Sequence, residues 1–263
     1  MKAVLFDLDD TLLQDQPWVE EAMLLACEPA GSVGVAPAML SRAIREQARS
    51  LWGASSTYPY CSRVGISSWE GLVSDTPGPG TEAGALAAWL PEYRRLAWEG
   101  ALASLDVDDT VMARSLSERY RRIRRSRYRL LDGAVPILDG LRGGPGPRLG
   151  LVTNGPSDLQ HEKIDSTGIR DRFQIVLVSG DLGTGKPDPA IFDRAVATLG
   201  VWSGSAIMVG DSLDRDIAGA RAAGLTTLWI SHGARLPAGA IVPDLVVSDL
   251  PAAAEAIHGW LAA

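Results

Sequence analysis

The chain has 263 residues, 46% of them hydrophobic and 22% charged, and its 32 acidic against 25 basic side chains leave a formal net charge of −7. That composition excludes collagen-like, disordered and membrane-embedded classes, and net acidity argues against a protein that coats a nucleic acid polymer through a basic face. The two cysteines, Cys27 and Cys61, form no CxxC pair and fit buried thiols in a reducing compartment.

From the amino terminus, Met1-Lys2 runs into a short apolar segment, Ala3–Phe6, that stops at Asp7. It is too short for a signal peptide or a membrane span, so the expected location is the cytoplasm. Helical patterns follow at 17–27, 37–52, 82–90 and 109–128, with no convincing strand between about residues 16 and 131 and a Pro/Gly-rich turn at 76–81. Leu131-Asp132-Gly133 is the expected return hinge, and Gly143–Pro147 an expected loop. Apolar runs then recur at 149–152, 175–178, 206–209, 226–230 and 245–247, separated by helical stretches at 156–167, 189–199, 213–223 and 251–261. Short apolar runs without polar alternation read as strands buried on both faces, the pattern of a parallel sheet. The predicted fold is α/β: a doubly wound, Rossmann-like parallel-sheet core (1–15 and 132–263) interrupted by an all-α insertion (16–131).

In such a sheet, ligands bind beyond the carboxyl ends of the strands. Those ends carry Asp7-Leu8-Asp9-Asp10-Thr11, then Thr153-Asn154-Gly155, then Gly185-Lys186-Pro187, then Gly210-Asp211-Ser212 with Asp216 beyond. Two carboxylates two residues apart on extended chain project to one side and repel unless a cation or shared proton relieves them. A hard cation, Mg²⁺ by preference, would relieve Asp7 and Asp211 together. Asp7 is then a candidate nucleophile toward phosphorus, and Asp9 a candidate general acid and base. Thr153, Asn154 and Lys186 are candidates for binding the oxygens of the transferring group. Gly180–Lys186 satisfies GxxxxGK but has Pro187 where a P-loop needs Ser or Thr. No GxSxG elbow occurs, and His161, His232 and His258 lack zinc-ligand spacing.

The ordered set Asp7-x-Asp9-x-Thr11, Thr153-Asn154-Gly155, Lys186-Pro187 and Gly210-Asp211-Ser212-(x)3-Asp216 resembles the motifs of the haloacid dehalogenase (HAD) superfamily. The resemblance covers about residues 1–14 and 132–250, and the insertion is similar to the family's C1 cap in position and helical character. It implies an aspartyl-phosphate on Asp7, Asp9 as general acid/base and main-chain ligand to Mg²⁺, Asp211 as metal ligand and Asp216 as ligand or orienter. Thr11 joins the implied phosphate-binding set. An acid at Asp9 separates phosphatases from dehalogenases proper, so the expected substrate is a small phosphorylated metabolite. The segment from Thr153 to Ile164 looks most like the branch with N-acylneuraminate-9-phosphatase and pyrimidine 5′-nucleotidases. A sugar phosphomutase on the same core and a receiver-like phospho-acceptor module are the alternatives, the latter about half this length.

The insertion also carries the charge asymmetry. Residues 114–129 hold eight arginines and one glutamate, a local +7 that leaves −14 for the rest of the chain. The helix reads either as an exposed basic face or as one that turns one or two arginines toward a substrate anion. Trp18, Trp52, Trp69, Trp89 and Trp98 are expected to build the insertion's own core, with one available to wall a pocket.

Overall fold

The computed structural model describes residues 1–143 and 146–263. β1 (Ala3–Phe6) is the central strand, and β2 (Leu13–Gln14) leads out of the core. The insertion follows as α1 (Gln16–Cys27), α2 (Pro37–Ala54), α3 (Tyr58–Val64), α4 (Ser68–Gly71), α5 (Thr81–Ala103) and α6 (Thr110–Arg124), and the chain returns through β3 (Arg129–Leu130). β2 and β3 pair antiparallel, Leu13 opposite Leu130 and Gln14 opposite Arg129, so outgoing and returning chains form one short ribbon. Between about residues 16 and 131 the described chain is otherwise free of strands as expected, and only β3 at its end departs from that, because a two-residue strand carries no periodicity. The rest of the core is α7 (Ala134–Leu141), β4 (Arg148–Thr153), α8 (Ser157–Ser166), β5 (Ile175–Val178), α9 (Ser179–Leu182), α10 (Pro189–Thr198), β6 (Ala206–Gly210), a π-helical turn (Leu213–Ile217), α11 (Ala218–Ala222), β7 (Thr226–Ile230), β8 (Leu245–Val247) and α12 (Leu250–Ala262). The loop expected at 143–147 includes Gly144 and Pro145, which lie outside the described residues.

Six strands form one parallel sheet in the order β5-β4-β1-β6-β7-β8. The order reverses between β1 and β6, which puts Asp7 and Asp211 on either side of the switch point where a doubly wound sheet opens a crevice. Alternation along β1 explains its burial on both faces. Val4 and Phe6 pack with α7, α8 and α12, while Ala3 and Leu5 pack with α10 and α11.

The insertion has its own apolar cluster, formed by α1, α2, α3, α5 and α6 and joined by Leu159 from α8. Trp52, Trp89 and Tyr93 meet with ring centroids 4.8–5.7 Å apart, and Trp98 lies 6.2 Å from Tyr120. The helix expected at 82–90 runs on to Ala103, through Pro91. Pro91 is exposed, and the buried stripe Leu86, Leu90, Tyr93, Ala97 continues past it on the other face. The turn at 76–81 docks the insertion onto the core: Ser157 N donates to Pro77 O (2.9 Å) and Asp158 N to Thr76 O (3.3 Å). A Cβ at Gly78 would stand 2.0 Å from Gly180 O, and one at Gly180 would stand 2.5 Å from Pro77 O, so this approach needs glycine on both sides.

The basic stretch of α6 is matched by acids from elsewhere in the fold. Arg119 pairs with Glu28, Arg121 with Asp75, Arg124 with Asp15, Arg127 with Glu21, and Arg125 with Asp158 and Glu162 of α8. The asymmetry in the sequence is thus largely cancelled in space. Among the described residues no single helix is long and apolar enough to cross a membrane.

Cys27 and Cys61 are buried, and burial pushes their thiols up to about 12 and about 11. Only thiolate attacks a disulfide reagent, so at pH 8 neither should react in the native chain and both should react after denaturation in guanidinium. Rapid native modification would contradict the packing of the insertion.

Candidate active site

The site is assembled at the carboxyl ends of β1, β4 and β6 with the loop after β5. Asp7 continues β1 through its N–H, which donates to Val209 O at 3.0 Å. The residue is 7% exposed. One oxygen, Oδ1, accepts from Lys186 Nζ at 2.5 Å, and the other from Thr11 Oγ1 at 3.2 Å. Thr11 Oγ1 also lies 3.3 Å from Asp211 Oδ1, so one hydroxyl proton serves both carboxylates.

Asp216 comes into the site through the π-helical turn, which returns its carboxylate beneath the strand end. Its Oδ2 accepts from Ser212 N at 3.0 Å, and its Oδ1 stands 2.7 Å from Lys186 Nζ in an ion pair. A Cβ at Gly210 would lie 2.2 Å from Asp216 Oδ2, so glycine leaves the space this carboxylate fills. Asp7, Asp211 and Asp216 each offer an oxygen within 4.8 Å of the others. Lys186, 4% exposed, is the ammonium among them.

Three carboxylates against one ammonium leave an excess of negative charge in a desolvated place. Burial is the largest cause raising Asp7, with Lys186 opposing it. Burial, then Asp7 and Asp216, push Asp211 up to about 8. A cluster of hard oxygen donors carrying excess negative charge fits a divalent cation of the Mg²⁺ kind, which would balance it.

Asp9 stands outside that cluster. Both of its oxygens accept from Lys163 Nζ (2.8 and 2.9 Å), and Oδ2 also accepts from Gln160 Nε2 at 2.9 Å. Burial pushes Asp9 up to about 6, with Asp15 adding and Lys163 opposing. Asp10 turns away with φ 55° and accepts from Asp15 N and Gln16 N, capping the start of α1.

Asn154 clamps the Lys186 main chain: its Oδ1 accepts from Lys186 N and its Nδ2 donates to Lys186 O, both at 2.8 Å. Thr153 Oγ1 accepts from Gln160 Nε2 at 2.6 Å. A cavity of about 270 Å³ covers the group, with Asp7, Asp9, Asn154, Lys186, Asp211 and Asp216 along its core side. Thr11 and Thr153 lie behind that lining. The insertion contributes Ser67, Trp69, Glu70 and Arg124. Trp69 is the tryptophan at the pocket wall, and Arg124 the arginine of the basic stretch that reaches the site.

The structure therefore brings all eight residues singled out from the sequence to one sheet edge. Sequence reasoning missed Lys163, Gln160, Asp15 and Glu70. Lys163 carried a signal, being one of three lysines in the chain and three residues from Gln160, a spacing that puts both on one helix face.

A family model described as haloacid dehalogenase-like hydrolase matches residues 1–224. A phosphoserine phosphatase of Thermus thermophilus is 39% identical over 250 residues, 95% of this chain and 96% of the relative. An N-acylneuraminate-9-phosphatase of Mus musculus is 32% identical over 175 residues, 64% of this chain and 70% of the relative. Among solved structures, a HAD phosphatase from Thermococcus onnurineus superposes with a TM-score of 0.61 at 26% identity, over 98% of this chain and 99% of that one.

The space beneath Gly210 gives a direct check on the metal-binding geometry. Wild-type protein should gain thermal stability on adding Mg²⁺, since a ligand that binds only the folded state stabilises it. Gly210→Ala, which must displace the Asp216 carboxylate, should lose most of that Mg²⁺-dependent shift in differential scanning fluorimetry. An undiminished shift would separate Asp216 from the metal.

Proposed function

The chain belongs to the haloacid dehalogenase-like hydrolase family and is a phosphatase of it, and we propose that it hydrolyses a small phosphomonoester through an aspartyl-phosphate on Asp7. The observation that carries this reading is the Asp7 carboxylate itself, bordering the cavity with Lys186 on one oxygen and Thr11 on the other. Asp211 and Asp216, with Asp7 and the Asp9 main-chain carbonyl, are the residues that would hold Mg²⁺. That ion, when bound, supplies positive charge against the phosphoryl oxygens and the carboxylates.

An Asp7 oxygen attacks phosphorus, a P–O bond forms, and the bond to the leaving oxygen breaks with its electron pair staying on oxygen. Asp9, whose proton affinity burial raises, takes up a proton before this step and gives it to that oxygen, and an alcohol departs. Water then attacks phosphorus, Asp9 takes its proton, and inorganic phosphate leaves with Asp7 restored. Lys186 neutralises charge on the transferring group, and Asn154 donates to its oxygens through the amide hydrogen not used on Lys186 O, while Thr153, behind the lining, holds Gln160. Thr11 steadies Asp7. The helical insertion, 16–131, serves as a cap over the core, 1–15 and 132–263, that excludes bulk water, and its Trp69, Glu70 and Arg124 contact the leaving group.

Phosphate release from p-nitrophenyl phosphate should require Mg²⁺, stop with EDTA and be abolished in Asp7→Asn; activity surviving that substitution would remove Asp7 as nucleophile. Asp9→Asn should lose about 10²–10⁴-fold on alkyl phosphates, the usual worth of a positioned proton carrier. A panel including phosphoserine, nucleoside monophosphates and sugar phosphates identifies the leaving group, and phosphate appearing on a second sugar hydroxyl instead of in water would establish a mutase.

A further inference from the structure

Beside the carboxylate cluster lies a second buried network of opposite character. Lys163 on α8 is 1% exposed. Its ammonium meets both oxygens of Asp9 and stands 3.0 Å from Asp15 Oδ1, so its three hydrogens face three carboxylate oxygens. Arg124, 5% exposed at the end of α6, pairs in turn with Asp15. Two acids and two bases sum to zero, and no cation is needed to relieve them. Gln160, one turn before Lys163, completes the grip through Asp9 Oδ2.

The two networks sit on neighbouring residues of one strand end yet do different things. Asp7 and Asp9 both border the cavity, so an unopposed Asp9 would be drawn toward whatever cation gathers Asp7, Asp211 and Asp216. Asp9 is absent from that convergent group, and both its oxygens are turned to Lys163 while its side chain still borders the cavity. A carboxylate that ligated a metal could not carry the proton of a leaving group. The ion pair with Lys163 is the opposing force, and Arg124 keeps Asp15 from drawing the ammonium away from Asp9.

We propose that Lys163 is a positioning residue of the reaction, holding the Asp9 carboxyl away from the metal-binding carboxylates and at the cavity, where the leaving oxygen arrives. The proposal rests on the reading of Asp9 as proton carrier. A group that acts through Asp9 matters most where the leaving oxygen needs a proton, and little where it leaves readily as a phenolate.

The test compares kcat/KM, which reports steps up to departure of the leaving group, for the best alkyl phosphomonoester of the panel and for p-nitrophenyl phosphate. Full-length wild type, Asp9→Asn, Lys163→Met, Lys163→Arg and Asp9→Asn/Lys163→Met are used, with Mg²⁺ present. Lys163→Met should lose about tenfold or more on the alkyl substrate beyond its loss on the aryl one, part of the effect of removing the proton carrier. Lys163→Arg, which keeps the charge, should show the same discrimination in smaller measure, and it decides the matter if Lys163→Met does not fold. The double variant should be no worse than Asp9→Asn alone. Equal losses on the two substrates in both Lys163 variants, with Asp9→Asn still discriminating, would overturn the positioning role alone. Asp9→Asn losing the two equally would remove the proton-carrier reading itself, and an additive double variant would make Lys163 a structural residue.

Discussion

Lys186 stands between Asp7 and Asp216, 2.5 Å from one and 2.7 Å from the other, and its single charge cannot balance the three carboxylates gathered there. The fold makes that imbalance unavoidable. A parallel sheet buried on both faces delivers its polar residues only at strand ends, and the reversal of order between β1 and β6 puts two such ends side by side. The π-helical turn adds the third carboxylate, and Asn154 fixes the main chain from which Lys186 reaches in. Each of these local features holds charges that would otherwise repel, and the residual negative charge is the kind a divalent cation could balance.

The neutral network of Asp9, Lys163, Asp15 and Arg124 gives the complementary half of the design. It spans the loop after β1, helix α8, the residue that opens α1 and the residue that ends α6. Core and insertion therefore meet through buried ion pairs beside the Asp9 side chain, as well as through the apolar contact of Leu159 and the glycine approach of Gly78 to Gly180. Such pairs contribute little net stability once desolvation is counted, but removing one partner is costly, so they fix geometry more than they hold the fold together. The cavity is walled on one side by Trp69, Glu70 and Arg124, which makes the insertion part of the site rather than a cover attached to it.

Much of this was legible in the sequence because the informative residues follow apolar runs. Ala3–Phe6 before Asp7 and Ala206–Val209 before Gly210-Asp211 state strand and site in one breath, and the order of the four motifs carried the family. The hinge ribbon of β2 and β3 was not legible, since two residues have no period. The extension of α5 through Pro91 was hidden by a local rule that an exposed position relaxes. The charge of residues 114–129 was legible but its meaning was not, because the acids that neutralise it, Asp15, Asp75 and Asp158 among them, are scattered along the chain and meet only after folding. Lys163 was hidden for the same reason: an ammonium on a core helix says nothing of its partners until α8 is laid against the loop after β1.

The central claim is that Asp7 becomes covalently phosphorylated. Asp9→Asn, which should slow hydrolysis of the intermediate, is mixed with a phosphomonoester and Mg²⁺, quenched in acid, digested and weighed by mass spectrometry. The account predicts one added phosphoryl group on the peptide that contains Asp7, absent when Asp7 is also replaced by Asn. Release of phosphate with no adduct at any time, or an adduct on another residue, would contradict it.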